Sequence, residues 1–311
     1  MTVSVLRTAD AWWVETPTGA SKITTTARTT GELLGDRAAV AAAAASSDTV
    51  SVTGLALLSP ITAPCRVVAQ MTNFVSHVVD AGMDPKTVPL TFFRKTSGSI
   101  SGPFDDVVKP GHVTLLDYEI EIGLVIGRDM PVSTTINSAT LADHVAGLVI
   151  TNDVSARDVQ LSKTQYFEGK SYPTFTPVGP RLVLLDADEL RRFTDLRLQT
   201  WVNGEIRQNK TVADMIYPPV QTLQALSRFQ HLSAGDLILT GTPVGTALSA
   251  PPKPIQMIGE LLPPQLKWKL FFKRQAQNPK YLSDGDVVEL AIATDDGAVD
   301  LGRQRTVVRD A

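Results

Sequence analysis

The stretch LDYEIEIGLVIG, Leu116 to Gly127, decides how this chain is read. Tyr118 to Ile126 is rich in β-branched and apolar side chains and predicts a buried strand. Side chains on a strand alternate between faces, so Glu119 and Glu121 share one face. Two carboxylates side by side inside a domain of this size call for a cation or a basic partner. A second apolar run, Val145 to Thr151, leads into Asn152-Asp153 and sets an aspartate at a strand end, where it can complete a cluster. Oxygen-only ligation by Glu119, Glu121 and Asp153 suits a hard cation, Mg²⁺, Mn²⁺ or Ca²⁺, better than Zn²⁺. The bland alternative for a bare Glu-x-Glu is a polar stripe facing solvent on a half-buried strand. The following VSARDVQ adds Arg157, Asp158 and Gln160 within seven residues and favours a site, although spacing alone leaves both readings open.

Four blocks run in order along the chain: LDYEIEIGLVIG, NDVSARDVQ, GKSYPTFTPVGP and GDLILTGTPVG. Together they resemble the fumarylacetoacetate hydrolase family. A weaker match extends upstream to about residue 64 and downstream through LSDGDVVELAI to the C-terminus, roughly the last four-fifths of the chain. The resemblance implies a β-rich α+β fold, the mixed β-roll of the family's C-terminal domain, preceded by a small N-terminal domain. It also implies a Mg²⁺ or Mn²⁺ site, a small oxo-acid substrate of enol or diketo type, and a homodimer.

His77 and Asp80 lie three residues apart and would share one face of a helix, where a carboxylate can fix an imidazole's tautomer and raise its basicity. An ordinary pair on a helix surface has the same spacing. By resemblance the segment matches the family's N-Y-x-x-H-x-x-E motif at Asn73, Phe74, His77 and Asp80, with Phe for Tyr and Asp for Glu. Phe74 then lines a more apolar substrate pocket than usual, and the shorter acid weakens the dyad. The resemblance further assigns Arg157 to a substrate carboxylate and Gln160 to a keto or enol oxygen. By the same resemblance Lys170 is a catalytic group that faces the substrate oxygens, and Thr242 donates to substrate. Arg94 and Lys95 are additional candidates for a substrate carboxylate, or else an exposed basic pair.

The chain has 311 residues, 43% hydrophobic, with a net charge of −3, which argues against a general nucleic-acid binder. A single cysteine, Cys65, rules out an internal disulfide and fits a reducing compartment. No run of about 18 apolar residues predicts a membrane span, and no signal-type h-region opens the chain, so the expectation is a cytoplasmic protein without a membrane partner. Residues 1–62 read as a small N-terminal α/β domain and 63–311 as the catalytic domain. The first unit carries a hairpin (Val3–Leu6 with Trp12–Glu15), an alanine-rich helix (36–46) and an extended segment (51–58). In the second, Asn203-Gly204 predicts a type I′ hairpin turn. Residues 98–111 read as loop, 214–229 as an amphipathic helix, and 284–293 and 302–308 as the last strands. An insert over about 251–280 departs from the family, with a basic amphipathic helix at Gln265–Gln277 that suits a lid or a subunit contact.

These readings lead to a metal-dependent hydrolase that cleaves a carbon–carbon bond in a 1,3-diketo acid such as an acylpyruvate, in the catabolism of aromatic or cyclic compounds. In it His77 and Asp80 activate water. The same constellation also suits decarboxylation of a β-keto acid or isomerisation of an oxo-dienoate. A metal-stabilised binding protein without turnover is the alternative outside enzymology.

Overall fold

The structure, a computed structural model, describes residues 2–163, 165–250 and 263–311. Fourteen strands build two sheets among the described residues: β1 (Val3–Arg7), β2 (Trp12–Thr16), β3 (Gly19–Lys22), β4 (Val67–Gln70), β5 (Phe92–Lys95), β6 (Val107–Lys109), β7 (Ile120–Ile126), β8 (Val145–Asn152), β9 (Leu182–Leu184), β10 (Leu196–Val202), β11 (Glu205–Thr211), β12 (Leu237–Leu239), β13 (Val287–Thr294) and β14 (Asp300–Asp310). The larger sheet has nine strands in the order β3-β2-β1-β9-β8-β7-β12-β4-β5. The smaller has five, β11-β10-β13-β14-β6. Most pairs are antiparallel; β12 with β4 and β14 with β6 run parallel. The result is the β-rich α+β architecture expected from the sequence.

The central strand β7 is buried on both faces, which is why IEIGLVI reads as a continuous rather than an alternating apolar run. Ile120, Ile122 and Leu124 enter a core shared with Leu198, Leu290 and Ile292 of the smaller sheet. Val125 points the other way, into a second core with Val67, Ala69 and Val149. Gly123 lies on that second face, where a Cβ would come within 2.6 Å of Val149 Cγ2 and 2.7 Å of Leu237 Cδ1. Its absent side chain lets β8 and β12 close against β7.

The first 62 residues, read from the sequence as a unit of their own, extend the edge of the larger sheet. Val3, Ser4 and Val5 of β1 pair with Leu184, Val183 and Leu182 of β9. Two helices, Thr30–Gly35 and Arg37–Ala44, add Leu33, Leu34, Val40 and Ala43 to the second core. The predicted extended run over 51–58 instead holds a 3₁₀ turn at Val52–Gly54, where the Ser51 and Thr53 hydroxyls bond each other at 2.8 Å. Such local hydroxyl bonding competes with strand formation. The helix expected from residue 214 starts only at Pro219 and runs to Ser227. Pro218-Pro219 explains the late start, because the residue before a proline is driven out of the helical region. Within the expected loop 98–111, Val107–Lys109 pairs parallel with β14. The Asn203-Gly204 turn forms as read, with φ of +52° and +79°.

Because Ile122 is fully buried between the sheets, Ile122→Ala should lower unfolding stability by about 2–5 kcal/mol in urea denaturation. A loss below about 1 kcal/mol would mean that the inter-sheet core does not depend on β7 as described.

Candidate metal centre and active site

The three acidic residues read from the sequence converge. β7 and β8 pair antiparallel, with Glu121 opposite Thr151 and Ile120 opposite Asn152. The Asp153 N–H donates to the Glu119 carbonyl at 2.8 Å, which brings Asp153 alongside Glu119 at the sheet's end. One oxygen from each of Glu119, Glu121 and Asp153 lies within 4.8 Å of the others, and all three residues are buried. Three hard oxygen donors at this spacing fit a divalent cation of the Mg²⁺, Mn²⁺ or Ca²⁺ type.

Carboxylates this close repel, and cationic side chains surround them. Lys170 Nζ donates to Glu119 at 2.5 Å and to Asp153 at 2.6 Å. Arg157 donates to Glu119 through Nη2, to Asp117 through Nε at 2.8 Å and to Gln160 Oε1 through Nη1 at 2.9 Å. Lys95 Nζ bonds Asp153 Oδ1 and the Phe175 carbonyl. Burial alone would raise the Glu119 carboxyl, but Arg157 and Lys170 overcome it and hold it down at about 2. Glu121 goes the other way, well above the carboxylate range, through burial and then the charges of Asp153 and Glu119. It accepts a hydrogen bond from the Gly241 N–H, 2.6 Å from Oε2. Gly241 holds this pose at φ +87°, where a Cβ would meet Asn73 Cβ at 2.8 Å.

The geometry revises several expectations. Arg157 lies in the cavity wall, 3% exposed, and donates to Asp117, Glu119 and Gln160, so it holds the Glu119 carboxylate as well as facing the space where a substrate acid would lie. Lys95 is likewise a buried partner of Asp153, while Arg94 points to solvent. Phe74 is wholly buried in the core between the sheets, not at the cavity wall. His77, on the helix Val75–Asp80, does line the cavity. Its Nδ1 is buried without a hydrogen-bond partner among the described residues, so the Asp80 carboxylate does not hold the ring. Burial lowers the His77 pKa, against the opposing charge of Glu119. The ring is therefore neutral at neutral pH.

Gln160 and Thr242 also line the cavity, and their orientation is fixed from behind. With Gln160 Oε1 taken by Arg157, its amide N–H groups remain to donate. Gln208 Nε2 donates to Thr242 Oγ1 at 2.9 Å, which leaves the Thr242 O–H as a donor.

Two functional residues were missed in the sequence. Asp117 accepts from Arg157 and from the Ala247 and Leu248 N–H groups, at 2.7 and 3.1 Å for the latter two. It links the acid cluster to the chain after the TGTPVG block. The alternation Asp117-x-Glu119-x-Glu121 in the deciding stretch was the available signal. Gln208 gave none, since its role arises from the packing of the smaller sheet behind β7.

The cavity holds about 630 Å³. The acid cluster and His77 form one part of its wall, and Met71, Phe93, Tyr166, Trp268 and Phe271 supply apolar surface.

A family model described as fumarylacetoacetate hydrolase C-terminal matches residues 66–309. Among curated relatives, the oxaloacetate tautomerase YisK of Bacillus subtilis is 36% identical over 65% of this chain and 67% of its own length. The mitochondrial oxaloacetate tautomerase FAHD2A of Homo sapiens is 34% identical over 63% of this chain and 61% of its own length. The matched region thus spans about three-fifths of the first such relatives. Among solved structures, the 2-hydroxyhepta-2,4-diene-1,7-dioate isomerase of Mycobacterium marinum aligns with a TM-score of 0.69 at 25% identity, covering 100% of this chain and 98% of that one.

The raised Glu121 pKa has a pH consequence. A carboxyl whose folded pKa exceeds its unfolded value of about 4.3 contributes stability only while protonated. That contribution falls as pH rises from there toward the folded pKa. A divalent cation binds the ionised form and offsets the loss. The rise in Tm on adding Mn²⁺ or Mg²⁺ should be larger at pH 8 than at pH 6, as measured by scanning fluorimetry. A shift that is equal or larger at pH 6 would contradict this electrostatic account.

Proposed function

The chain belongs to the fumarylacetoacetate hydrolase family, and from that premise we propose that it is a metal-assisted isomerase of a 2-oxo acid, moving a proton between carbon and oxygen of a keto–enol pair. The observation that carries this reading is His77: an imidazole in the wall of the cavity that holds the acid cluster, its pKa lowered by burial, whose buried Nδ1 has no carboxylate partner among the described residues to make a water-activating dyad. Proton transfer between substrate atoms needs a base near neutral pKa, but no ordered nucleophilic water. Named relatives act in that sense, as oxaloacetate tautomerases and as a hydroxyheptadienedioate isomerase.

Glu119, Glu121 and Asp153 are the residues that would hold the cation. When bound, it would polarise the substrate's keto oxygen and favour enolisation. The chain's own groups do the rest. Gln160 and Thr242 present N–H and O–H donors that orient the oxo-acid oxygens. With Nδ1 buried, Nε2 is the His77 nitrogen available to the cavity. It takes the proton from the carbon next to the keto group and returns it to oxygen, or the reverse. Lys170 balances the negative charge of Glu119 and Asp153 throughout. Mg²⁺ or Mn²⁺, a homodimeric assembly and a cytoplasmic setting belong to the same proposal.

Hydrolysis of a carbon–carbon bond in an acylpyruvate is the second reading. The cavity volume favours it, since there is room for an acyl arm beside the oxo acid. A panel of oxaloacetate, an oxo-dienoate and acylpyruvates, assayed with Mg²⁺ or Mn²⁺, separates the readings. Keto–enol isomerisation should dominate, and His77→Ala should slow it by about 10²–10⁴-fold. Faster cleavage of acylpyruvates than isomerisation, or an unaffected His77→Ala variant, would overturn the proposal in favour of hydrolysis or decarboxylation.

A further inference from the structure

The buried Nδ1 of His77 has no hydrogen-bond partner among the described residues, so the ring's place in the cavity is set by the helix that carries it. That helix, Val75–Asp80, is short, and Phe74 at its N-cap has no side-chain oxygen to offer the first free N–H groups. A residue far along the chain takes that part. Asp214, 138 positions beyond Ser76, accepts from the Ser76 N–H at 3.1 Å and, through the same Oδ2, from the Ser76 hydroxyl. Hydrogen bonds to an ionised acceptor are roughly twice as strong as neutral ones. Ser76 Oγ in turn accepts from the Val244 N–H at 3.3 Å. Val244 belongs to the TGTPVG loop, in which Gly241 donates to Glu121 and Gln208 orients the Thr242 hydroxyl.

The surrounding bonds fix where the helix begins and ends. Asp214 closes the 3₁₀ turn Val212–Asp214 that follows β11. Just after it, the Ile216 N–H donates to the Asn73 carbonyl and the Tyr217 N–H to Asn73 Oδ1, each at 2.8 Å. At the other end the Ala250 N–H donates to the Asp80 carbonyl at 3.1 Å. Neither of these clamps touches the turn next to His77; the Asp214–Ser76 link does. Neighbouring helix residues point about 100° apart, so Ser76 faces Asp214 while His77 faces the cavity. Neither Ser76 nor Asp214 lines the cavity itself, so any effect they have on the reaction passes through His77 or the Thr242 loop.

We propose that Asp214 is a positioning residue for the reaction: through Ser76 it holds the helix of His77 and the loop of Thr242 in one frame, in place of a carboxylate on the imidazole itself. The inference rests on the reading of His77 as the base and adds the group that aims it. Misplacing a reacting group by about 1 Å can cost about 10²-fold in rate.

The test measures kcat and KM for the oxo acid that wild type isomerises fastest, in Asp214→Ala, Asp214→Asn and Ser76→Ala, each also in the His77→Ala background. Asp214→Ala should lower kcat by about 10–10²-fold and leave KM within about twofold. Asp214→Asn keeps an oxygen that can accept from Ser76 and should recover most of the loss. Once His77 is gone, Asp214→Ala should cost less than about twofold more. An unchanged kcat in Asp214→Ala, or an undiminished further loss in the His77→Ala background, would overturn the inference. Should Asp214→Ala fail to fold, Ser76→Ala carries the same comparison, and a wild-type kcat in that variant overturns it. Hydrogen exchange without substrate, read by mass spectrometry, reports on the tether alone. Asp214→Ala should speed exchange over residues 75–82 by about tenfold or more and leave β7 and β8 unchanged. That result, with no oxo acid isomerised by wild type, would uphold the tether and sink the proposed reaction. Unchanged exchange over 75–82 would overturn the inference whatever the reaction.

Discussion

Three carboxylates within 4.8 Å of one another inside a protein set the constraint that organises this molecule. Such a cluster is costly unless it is neutralised and hydrogen-bonded. Asp117 adds a fourth buried acid beside it, and three buried cations, Lys95, Arg157 and Lys170, stand against them. Each cation comes from a different part of the chain, so the fold has to close before the charges are matched. Among the described residues Glu121 has no direct ion pair, only a hydrogen bond from a backbone N–H, and its carboxyl is the one driven upward despite the charge of Lys170 nearby. That imbalance is what a divalent cation would relieve.

The scaffold fixes this cluster through register rather than through loops. Antiparallel pairing of β7 and β8 sets Asp153 against Glu119, and two residues past the end of the neighbouring β12 stands Gly241, whose N–H meets Glu121. Both faces of β7 are packed, so a slip by one residue would exchange Glu119 and Glu121 for Ile120 and Ile122 and bury acids in the inter-sheet core. The network also reaches outward. Asp117 ties Arg157 to Ala247, and Ala247 belongs to a small core on which Phe272 packs, in the helix Pro264–Gln275 that lines the cavity. The charge cluster and the cavity wall are therefore mechanically connected.

Much of this was legible in the chain. The apolar run of β7, the alternation of Glu119 and Glu121, and an aspartate at the end of the next apolar strand follow from period-two geometry alone. The type I′ turn at Asn203-Gly204 follows from backbone preference. What sequence spacing did not convey was occupancy. Arg157 and Lys95 read as groups waiting for a substrate, yet each is engaged by a buried acid that lies far away in sequence. Phe74 read as pocket lining, but the residue directly before the helix Val75–Asp80 turns into the core. His77 and Asp80 have the spacing of a pair, but the ring's buried nitrogen is left without a partner. Spacing shows which side chains share a face; it does not show which acceptor a long cation reaches first.

The account's central claim is that Glu119, Glu121 and Asp153 form one divalent-cation site. Mn²⁺ titration followed by electron paramagnetic resonance, on wild type and on Glu121→Gln, tests it most directly. The account predicts one tightly bound Mn²⁺ per chain in wild type and a loss of affinity of at least about tenfold in Glu121→Gln, because one of three charged ligands is gone. Undiminished Mn²⁺ binding in that variant, or no bound Mn²⁺ in wild type, would contradict it.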